Sequence, residues 1–127
     1  MKKVILAAAL LFSFAACSSG DGVMTRKGDT YVVNTTEIGK VIEGYKGPTP
    51  LLVYIQNETI LKVEALENTE TPGYFQSVKE ELLSAWDGMP VSEVIEAQVD
   101  AVSGATWSSQ AVVANVHEAV RYYLLNR

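Results

Sequence analysis

The sequence contains one cysteine, Cys17, and one histidine, His117, which limits the chemistry that its side chains can support. A lone cysteine excludes an intrachain disulfide. No second histidine or cysteine is spaced to complete a metal site with His117, so we predict no metal site and expect this residue to be on a helix surface or partly packed. No nucleophile, base and orienting group can be assembled either, which disfavours a hydrolase.

Basic residues are also scarce, because 10 lysines and arginines stand against 15 aspartates and glutamates, for a formal net charge of −5. A nucleic-acid-binding protein needs a clustered basic face to neutralise phosphates, and this sequence has no such cluster. We therefore expect no nucleic-acid partner and no polybasic membrane patch. The GxGxxG fingerprint of dinucleotide-binding domains is absent as well.

The longest predominantly apolar run, Val4–Phe14, is too short for a membrane-spanning helix, which needs about 20 residues. Two lysines precede the run, and two alanines and Cys17 follow it, as is typical of a secretory signal. The segment resembles the lipobox of bacterial lipoproteins, which implies a signal peptide at 1–16 and a lipidated Cys17. A plain secretory signal cut nearby is the alternative. Removal of Lys2 and Lys3 would change the formal net charge to −7.

Residues 17–29 are expected to connect this anchor to a single folded domain at 30–127. Ser18–Asp29 is polar, contains three glycines and has no periodic apolar pattern, which is typical of a flexible tether. The chain that remains after processing is long enough for one modest hydrophobic core.

Strand-like runs dominate the first half of the predicted domain. Thr30–Asn34 is rich in β-branched residues, and a loop or short strand follows through Ile38–Ile42. Leu51–Gln56 and Thr59–Leu66 are two further runs rich in valine, isoleucine and leucine. The dipeptide Asn57–Glu58 between them indicates a β-hairpin.

Helical periodicity dominates the second half. Apolar residues recur three or four positions apart from Phe75 to Trp86, and Asp87–Pro90 is expected to end this helix. Val91–Gln98 is open between a helical turn and a loop, and Val99–Val102 is consistent with a short strand. A longer helix is expected from Ser108 to Leu125, with Ser108 or Ser109 as its cap.

This succession of elements predicts an α+β domain. Strands occur first and helices follow, without strict alternation of the two. We therefore expect a small, mostly antiparallel sheet with two main helices packed on it.

The stretch DAVSGATWSS places small residues and hydroxyl groups at the start of the last predicted helix. The first turn of a helix leaves about four N–H groups without intrahelical partners and carries roughly half a positive charge, which suits a phosphate. Gly104 and Ala105 would let a phosphate approach the backbone, and Thr106 offers an oxygen that can be esterified. A tight turn with a serine cap would explain the same residues without any ligand.

The same stretch resembles the motif of the FMN-binding domain family, which includes the flavin subunits of the sodium-pumping NADH:quinone oxidoreductase and the Rnf complex. The residues that match are Asp100, Ser103, Gly104, Ala105 and Thr106. The resemblance implies that FMN is joined through its phosphate to Thr106. It also implies a separate FAD:protein FMN transferase as a partner, which would recognise the motif.

Two upstream segments extend the resemblance over about residues 44–125. Gly44–Pro48 is similar to the family's glycine-containing opening before the hairpin. A second segment is similar to the family's ETPG motif, which implies a position near the flavin ring. Tyr74 and Trp107 flank the two motifs, and either a cofactor contact or a place in the core or rim is consistent with the pattern. The residues of the second segment are Glu70, Thr71, Pro72, Gly73 and Tyr74.

Together these features imply an extracytoplasmic electron-transfer flavoprotein, anchored by lipid in the bacterial cell envelope. FMN covalently attached to Thr106 would carry electrons between membrane or extracytoplasmic redox proteins. Two other interpretations stay open, namely a noncovalent FMN-binding or non-redox interaction lipoprotein, and an autonomous flavin reductase. An electron carrier or a component of an oxidoreductase is favoured over an autonomous enzyme.

Overall fold

A computed structural model describes residues 22–127 except Gln98. The predicted signal peptide at 1–16 and the predicted lipidation site, Cys17, lie outside the described residues. Within the part of the chain that is described, no helix combines the length and the apolar character needed to cross a membrane.

Four antiparallel strands form a sheet in the order in which they occur along the chain. They are β1 (Met24–Lys27), β2 (Thr30–Asn34), β3 (Leu51–Gln56) and β4 (Thr59–Ala65). The predicted hairpin is confirmed by β3 and β4. Its two turn residues, at 57 and 58, both have positive φ angles, of 54° and 61°, as a two-residue turn between twisted strands requires.

One face of the sheet is buried. The pairing register aligns a row of apolar side chains across all four strands: Met24, Val33, Val53 and Val63. All four side chains are buried. Along β3, buried positions alternate with half-buried ones, as expected of a strand with one covered face.

The longest helix, α3 (Thr106–Asn126), packs on β2 and β3. Its apolar stripe includes Val112, Val116 and Val120, which are fully buried in the same core cluster as the sheet residues. The position of this helix on the sheet determines where its first residue, Thr106, lies.

Shorter helical elements complete the domain. α1 (Pro72–Glu81) is followed by a 3-10 turn at Leu83–Trp86, which packs on β4. α2 (Val91–Val94) is a single turn that contacts α3, so the helical alternative for this segment is the one that occurs. The residues at 36–41 form turns rather than a strand. The α+β architecture, with helices on a small antiparallel sheet, is confirmed.

Two predictions about the strands are wrong: one strand lies in the predicted tether, and one predicted strand does not form. Part of the expected tether at 17–29 is folded, because Met24–Lys27 pairs with β2. Only the first residue of that strand is buried, so it lacks the alternating pattern that would identify it in the sequence. Val99–Val102 forms no strand and is instead the connection that leads into α3.

The predicted start of the last helix is also wrong. α3 begins at Thr106 rather than Ser108, and its N-cap is Ala105, without a side-chain capping bond. Neither Ser108 nor Ser109 caps the helix, because their hydroxyl groups bond to Glu70 and to Ala105, respectively.

Candidate functional site

A cleft of about 220 Å³ opens where three segments of the chain meet. The segments are the loop at 44–48 between β2 and β3, the start of α1, and the turn that leads into α3. None of the lining side chains carries a formal charge at neutral pH. The lining residues are Tyr45, Thr71, Tyr74, Gly104, Ala105, Thr106, Trp107 and Ser108.

The turn before α3 is held together by Ser109. Its hydroxyl donates to the carbonyl oxygen of Ala105 at 2.7 Å and accepts from the N–H of Val102 at 3.0 Å. The N–H of Ala105 donates to the carbonyl oxygen of Val102 at 2.9 Å. Gly104 lies inside this closed turn at φ +83°, a conformation that disfavours any residue with a Cβ. The small-residue segment therefore forms a tight turn whose backbone borders the cleft.

Thr106 is the first residue of α3, is exposed and lines the cleft. The backbone bond at this end of the helix runs from the N–H of Ser109 to the carbonyl oxygen of Ala105, at 2.9 Å. The N–H groups of Thr106, Trp107 and Ser108 precede that bond and have no intrahelical acceptor. Backbone donors, the positive end of a helix dipole and one hydroxyl group therefore lie together, and such a set suits a phosphate.

Glu70 lies behind the cleft wall and is only 5% exposed. Its carboxylate accepts hydrogen bonds from the N–H of Tyr45 at 2.8 Å, from the N–H of Lys46 at 2.6 Å and from the hydroxyl of Ser108. Burial raises the pKa of this carboxyl, but the bonds from the Ser108 hydroxyl and from the N–H groups at 45–47 outweigh burial. The net pKa lies below its usual range, and Glu70 is ionised at neutral pH.

The 44–48 loop packs closely against its neighbours at both of its glycines. A Cβ at Gly44 would collide with the Glu70 carboxylate and would lie 3.2 Å from Cγ2 of Thr49. A Cβ at Gly47 would lie 2.9 Å from the hydroxyl oxygen of Thr69. The two glycines of the GYKGP segment thus allow the loop to lie against Glu70 and the residue before it.

Three aromatic side chains border the cleft with more than half of their surface exposed. Tyr45 is 64% exposed, Tyr74 58% and Trp107 66%. Large aromatic residues are usually buried over most of their area, and exposed ones gathered at a cleft are typical of a ligand-binding surface. Their ring faces suit a planar aromatic ligand.

The structure places about half of the predicted site residues in the cleft lining. Those that line it are Thr71, Tyr74, Gly104, Ala105, Thr106 and Trp107. Those that do not are Asp100, Ser103, Glu70, Pro72 and Gly73. Asp100 and Ser103 are exposed before α3, and Pro72 and Gly73 are exposed at the start of α1. Glu70 and Pro72 border a neighbouring groove instead.

Two lining residues, Tyr45 and Ser108, are absent from the predicted site. Tyr45 lies within Gly44–Pro48, which carries part of the family resemblance, and Ser108 lies within the stretch DAVSGATWSS, so a signal for each was present. The sequence alone does not show that the Tyr45 N–H and the Ser108 hydroxyl point at one carboxylate.

The single histidine lies apart from this cleft. His117 is half-buried in α3, where burial and then the nearby Arg121 lower its pKa. Among the residues described, no group of three or more histidine, cysteine, aspartate or glutamate side chains is arranged to hold a metal ion.

The sequence model of the FMN-binding domain matches residues 44–121, which include all three segments of the cleft. The chain belongs to the FMN-binding domain family. This membership confirms the resemblance that was based on residues 103–106 (SGAT) and 70–73 (ETPG). A relative, one of the subunits of the ion-translocating oxidoreductase complex of Methanosarcina acetivorans, is 35% identical over 99 residues, which cover 72% of this chain. The chain spans about half of that curated relative, 50% of its length.

The cleft of this FMN-binding domain suits the chemical groups of FMN. The N–H groups at the start of α3, which have no intrahelical acceptor, suit the phosphate, and the Tyr45, Tyr74 and Trp107 side chains suit the isoalloxazine ring. The Glu70 carboxylate behind the cleft wall is buried and already accepts several hydrogen bonds. The lining itself therefore presents no anionic side chain to the phosphate.

Proposed function

We propose that this chain is a lipid-anchored, extracytoplasmic electron-transfer protein that carries FMN as a phosphoester on Thr106. The observation that carries the proposal is the position of Thr106, which is exposed in the cleft at the first residue of α3. Membership of the FMN-binding domain family supports FMN as the cofactor. FMN, when bound, supplies a ring that accepts and releases electrons.

In the proposed attachment, a separate FAD:protein FMN transferase acts on the Thr106 hydroxyl. The threonine oxygen forms a bond to the phosphorus of the FMN half of FAD. The bond between the two phosphates of FAD breaks, AMP leaves, and the hydroxyl proton is released. The N–H groups of Trp107 and Ser108 would then hold the bound phosphate at the positive end of the helix dipole.

The exposure of the cleft supports a carrier rather than an autonomous enzyme. Tyr45, Tyr74 and Trp107 would hold the ring at the protein surface, where partner proteins can approach it. The relative from Methanosarcina acetivorans is a subunit of an oxidoreductase complex, which supports redox proteins as partners of this chain. The chain's own residues would fix the place of the cofactor, and the partners would provide the electron donor and acceptor.

The decisive experiment is intact-mass measurement of the full chain coexpressed with a FAD:protein FMN transferase. We expect the wild-type protein to gain the mass of one FMN less one water, and the Thr106→Ala variant to gain nothing. Thr25→Ala, which removes an exposed threonine from β1, is the matched control and should gain the same mass as the wild type. Flavin fluorescence that survives denaturing electrophoresis should follow the mass gain.

Two results would contradict the covalent attachment. If the wild type and Thr106→Ala have no added mass and the yellow protein releases its flavin on denaturation, FMN binds noncovalently. Equal masses with a colourless protein would indicate an interaction lipoprotein without a flavin.

A further inference from the structure

One buried acidic side chain connects all three segments that form the cleft. Glu70 immediately precedes Thr71, the residue before α1, and its carboxylate accepts bonds from the N–H groups of Tyr45 and Lys46. It also accepts a bond from the hydroxyl of Ser108, in the first turn of α3. The partners lie 24, 25 and 38 positions away along the chain. The Glu70 carboxylate, next to the start of α1, therefore joins the 44–48 loop to the first turn of α3.

Glu70 is held by directed hydrogen bonds rather than by an ion pair. The lysines and arginines that form salt bridges among the described residues pair with Glu37, Glu64, Glu118 and Glu58, and none pairs with Glu70. Hydrogen bonds to a carboxylate are shorter and stronger than bonds between neutral groups, and each fixes the direction of its donor. The carboxylate thus specifies the orientation of the loop backbone and of the first helical turn.

The 44–48 loop fits closely around the Glu70 carboxylate. The Glu70 carboxylate lies so close to Gly44 that a Cβ at this position would collide with it. The N–H of Gly44 donates to the carbonyl oxygen of Gly47 at 2.8 Å, and this bond closes the loop. The Tyr45 N–H bonds to Glu70, whereas its side chain lines the cleft. A shift of Glu70 would therefore move a wall of the cleft.

We infer that Glu70 is a positioning residue for the cofactor, and that Ser108 transmits its effect to the helix turn that carries Thr106. The inference rests on the proposed binding of FMN in this cleft. Glu70 itself does not line the cleft, and both of its carboxylate oxygens are used by the protein. Its role is to hold the loop that contains Tyr45 and the helix turn that contains Thr106 at a fixed separation.

The first test uses the protein without cofactor and measures hydrogen exchange of the Tyr45 and Lys46 amides. Ser108→Ala removes one hydroxyl from the opposite wall and leaves both amides and the carboxylate in place. If Glu70 couples the walls, this variant should speed exchange of the two amides by about fivefold, as expected for one net hydrogen bond. Glu70→Gln should speed it more, because the amide group of glutamine cannot accept at both positions.

Thr35→Val is the matched control for a general loss of stability. The Thr35 hydroxyl accepts from the N–H of Leu51 at 2.8 Å and is buried outside the cleft. Its loss should lower the melting temperature but leave exchange at Tyr45 and Lys46 unchanged, because loop amides exchange through local opening. Unchanged exchange at these two amides in Ser108→Ala would overturn the inference.

The second test uses protein loaded with FMN by the transferase, with loading measured by intact mass. Among the molecules that carry FMN, we expect Glu70→Gln and Ser108→Ala to show weaker visible circular dichroism and lower flavin fluorescence anisotropy than the wild type. Thr35→Val should keep both signals. If the two variants keep both signals as well, Glu70 has only a structural role. If the wild-type chain itself takes up no FMN, the proposed function fails, which is a separate result from the exchange measurement.

Discussion

Individual side chains shape this cleft mainly by bonding to backbone groups. Ser109 closes the turn before α3 through its bonds to Val102 and Ala105. Glu70 holds the N–H groups of Tyr45 and Lys46. A typical hydrogen bond contributes about 1 kcal/mol net, but a buried donor left without an acceptor costs about 1–3 kcal/mol. Loss of either side chain therefore affects the backbone around it as well as the bond itself.

At this scale the stability of the protein should depend on the ionisation of Glu70. We expect Glu70→Gln to lower the free energy of unfolding by about 1–3 kcal/mol at neutral pH, because its partners lose a charged acceptor. The pKa of Glu70 is lower in the folded chain than in the unfolded chain. Its stabilisation is therefore fully present above the unfolded pKa, near 4.5, and is lost as the pH falls through the folded pKa. The wild type and the variant should converge in acid.

Urea unfolding followed by tryptophan fluorescence at a series of pH values measures this convergence. Glu67→Gln is the matched control, since Glu67 is exposed three positions before Glu70, and it should differ little from the wild type at any pH. A constant difference between Glu70→Gln and the wild type from neutral pH into acid would contradict the assigned role.

At the scale of secondary structure, two helices begin at the cleft. Thr71 is the N-cap of α1 and Ala105 is the N-cap of α3, and both residues line the site. The positive ends of two helix dipoles therefore border one small volume, which favours anionic groups there. The turn at 102–106 determines how α3 enters this volume, so the geometry of the turn should matter more to the cofactor than to the fold.

The matched pair Gly104→Ala and Gly88→Ala tests this expectation. Gly104 has φ +83° and Gly88 has φ +82°, and a Cβ at either would meet no atom within 4 Å. Both substitutions should lower the free energy of unfolding by about 1 kcal/mol through backbone strain alone. Only Gly104→Ala should reduce FMN loading by the transferase, because Gly104 lines the cleft. Equal loading of the two variants, measured by intact mass, would show that the turn does not contribute.

At the scale of the whole molecule, the sheet and α3 bring distant parts of the chain to one place. The buried row across the sheet and the fully buried valines of α3 form one core cluster. Because the core fixes α3 on β2 and β3, the start of α3 meets the loop that precedes β3. If the domain is held at a membrane as proposed, the access of partner proteins to the cleft depends on that attachment.

We propose that a lipid on Cys17 attaches the whole molecule to a membrane. We expect the purified full-length product to partition into the detergent phase and its N-terminal peptide to carry acyl mass. Cys17→Ala should remove the acyl mass, whereas the neighbouring Ser18→Ala should retain it. An N-terminal peptide that starts at another residue without added lipid would favour the plain secretory signal.

The sequence predicts the elements whose pattern is local. The β3–β4 hairpin follows from two apolar runs and a two-residue turn, and α3 follows from its apolar stripe. β1 escapes prediction because it exposes most of its residues at the edge of the sheet. Its strand conformation depends on pairing with β2, a contact that leaves no periodic pattern in the chain.

The family, the α+β architecture and the tight turn before α3 can be predicted from the amino-acid sequence, because motif, periodicity and turn chemistry are properties of neighbouring residues. The folded chain was needed to show that the Tyr45 N–H and the Ser108 hydroxyl share the Glu70 carboxylate, and that Thr106 rather than Ser108 begins the helix. These bonds join residues up to 38 positions apart. Such partners are selected by the packing of α3 on the sheet, which no local pattern records.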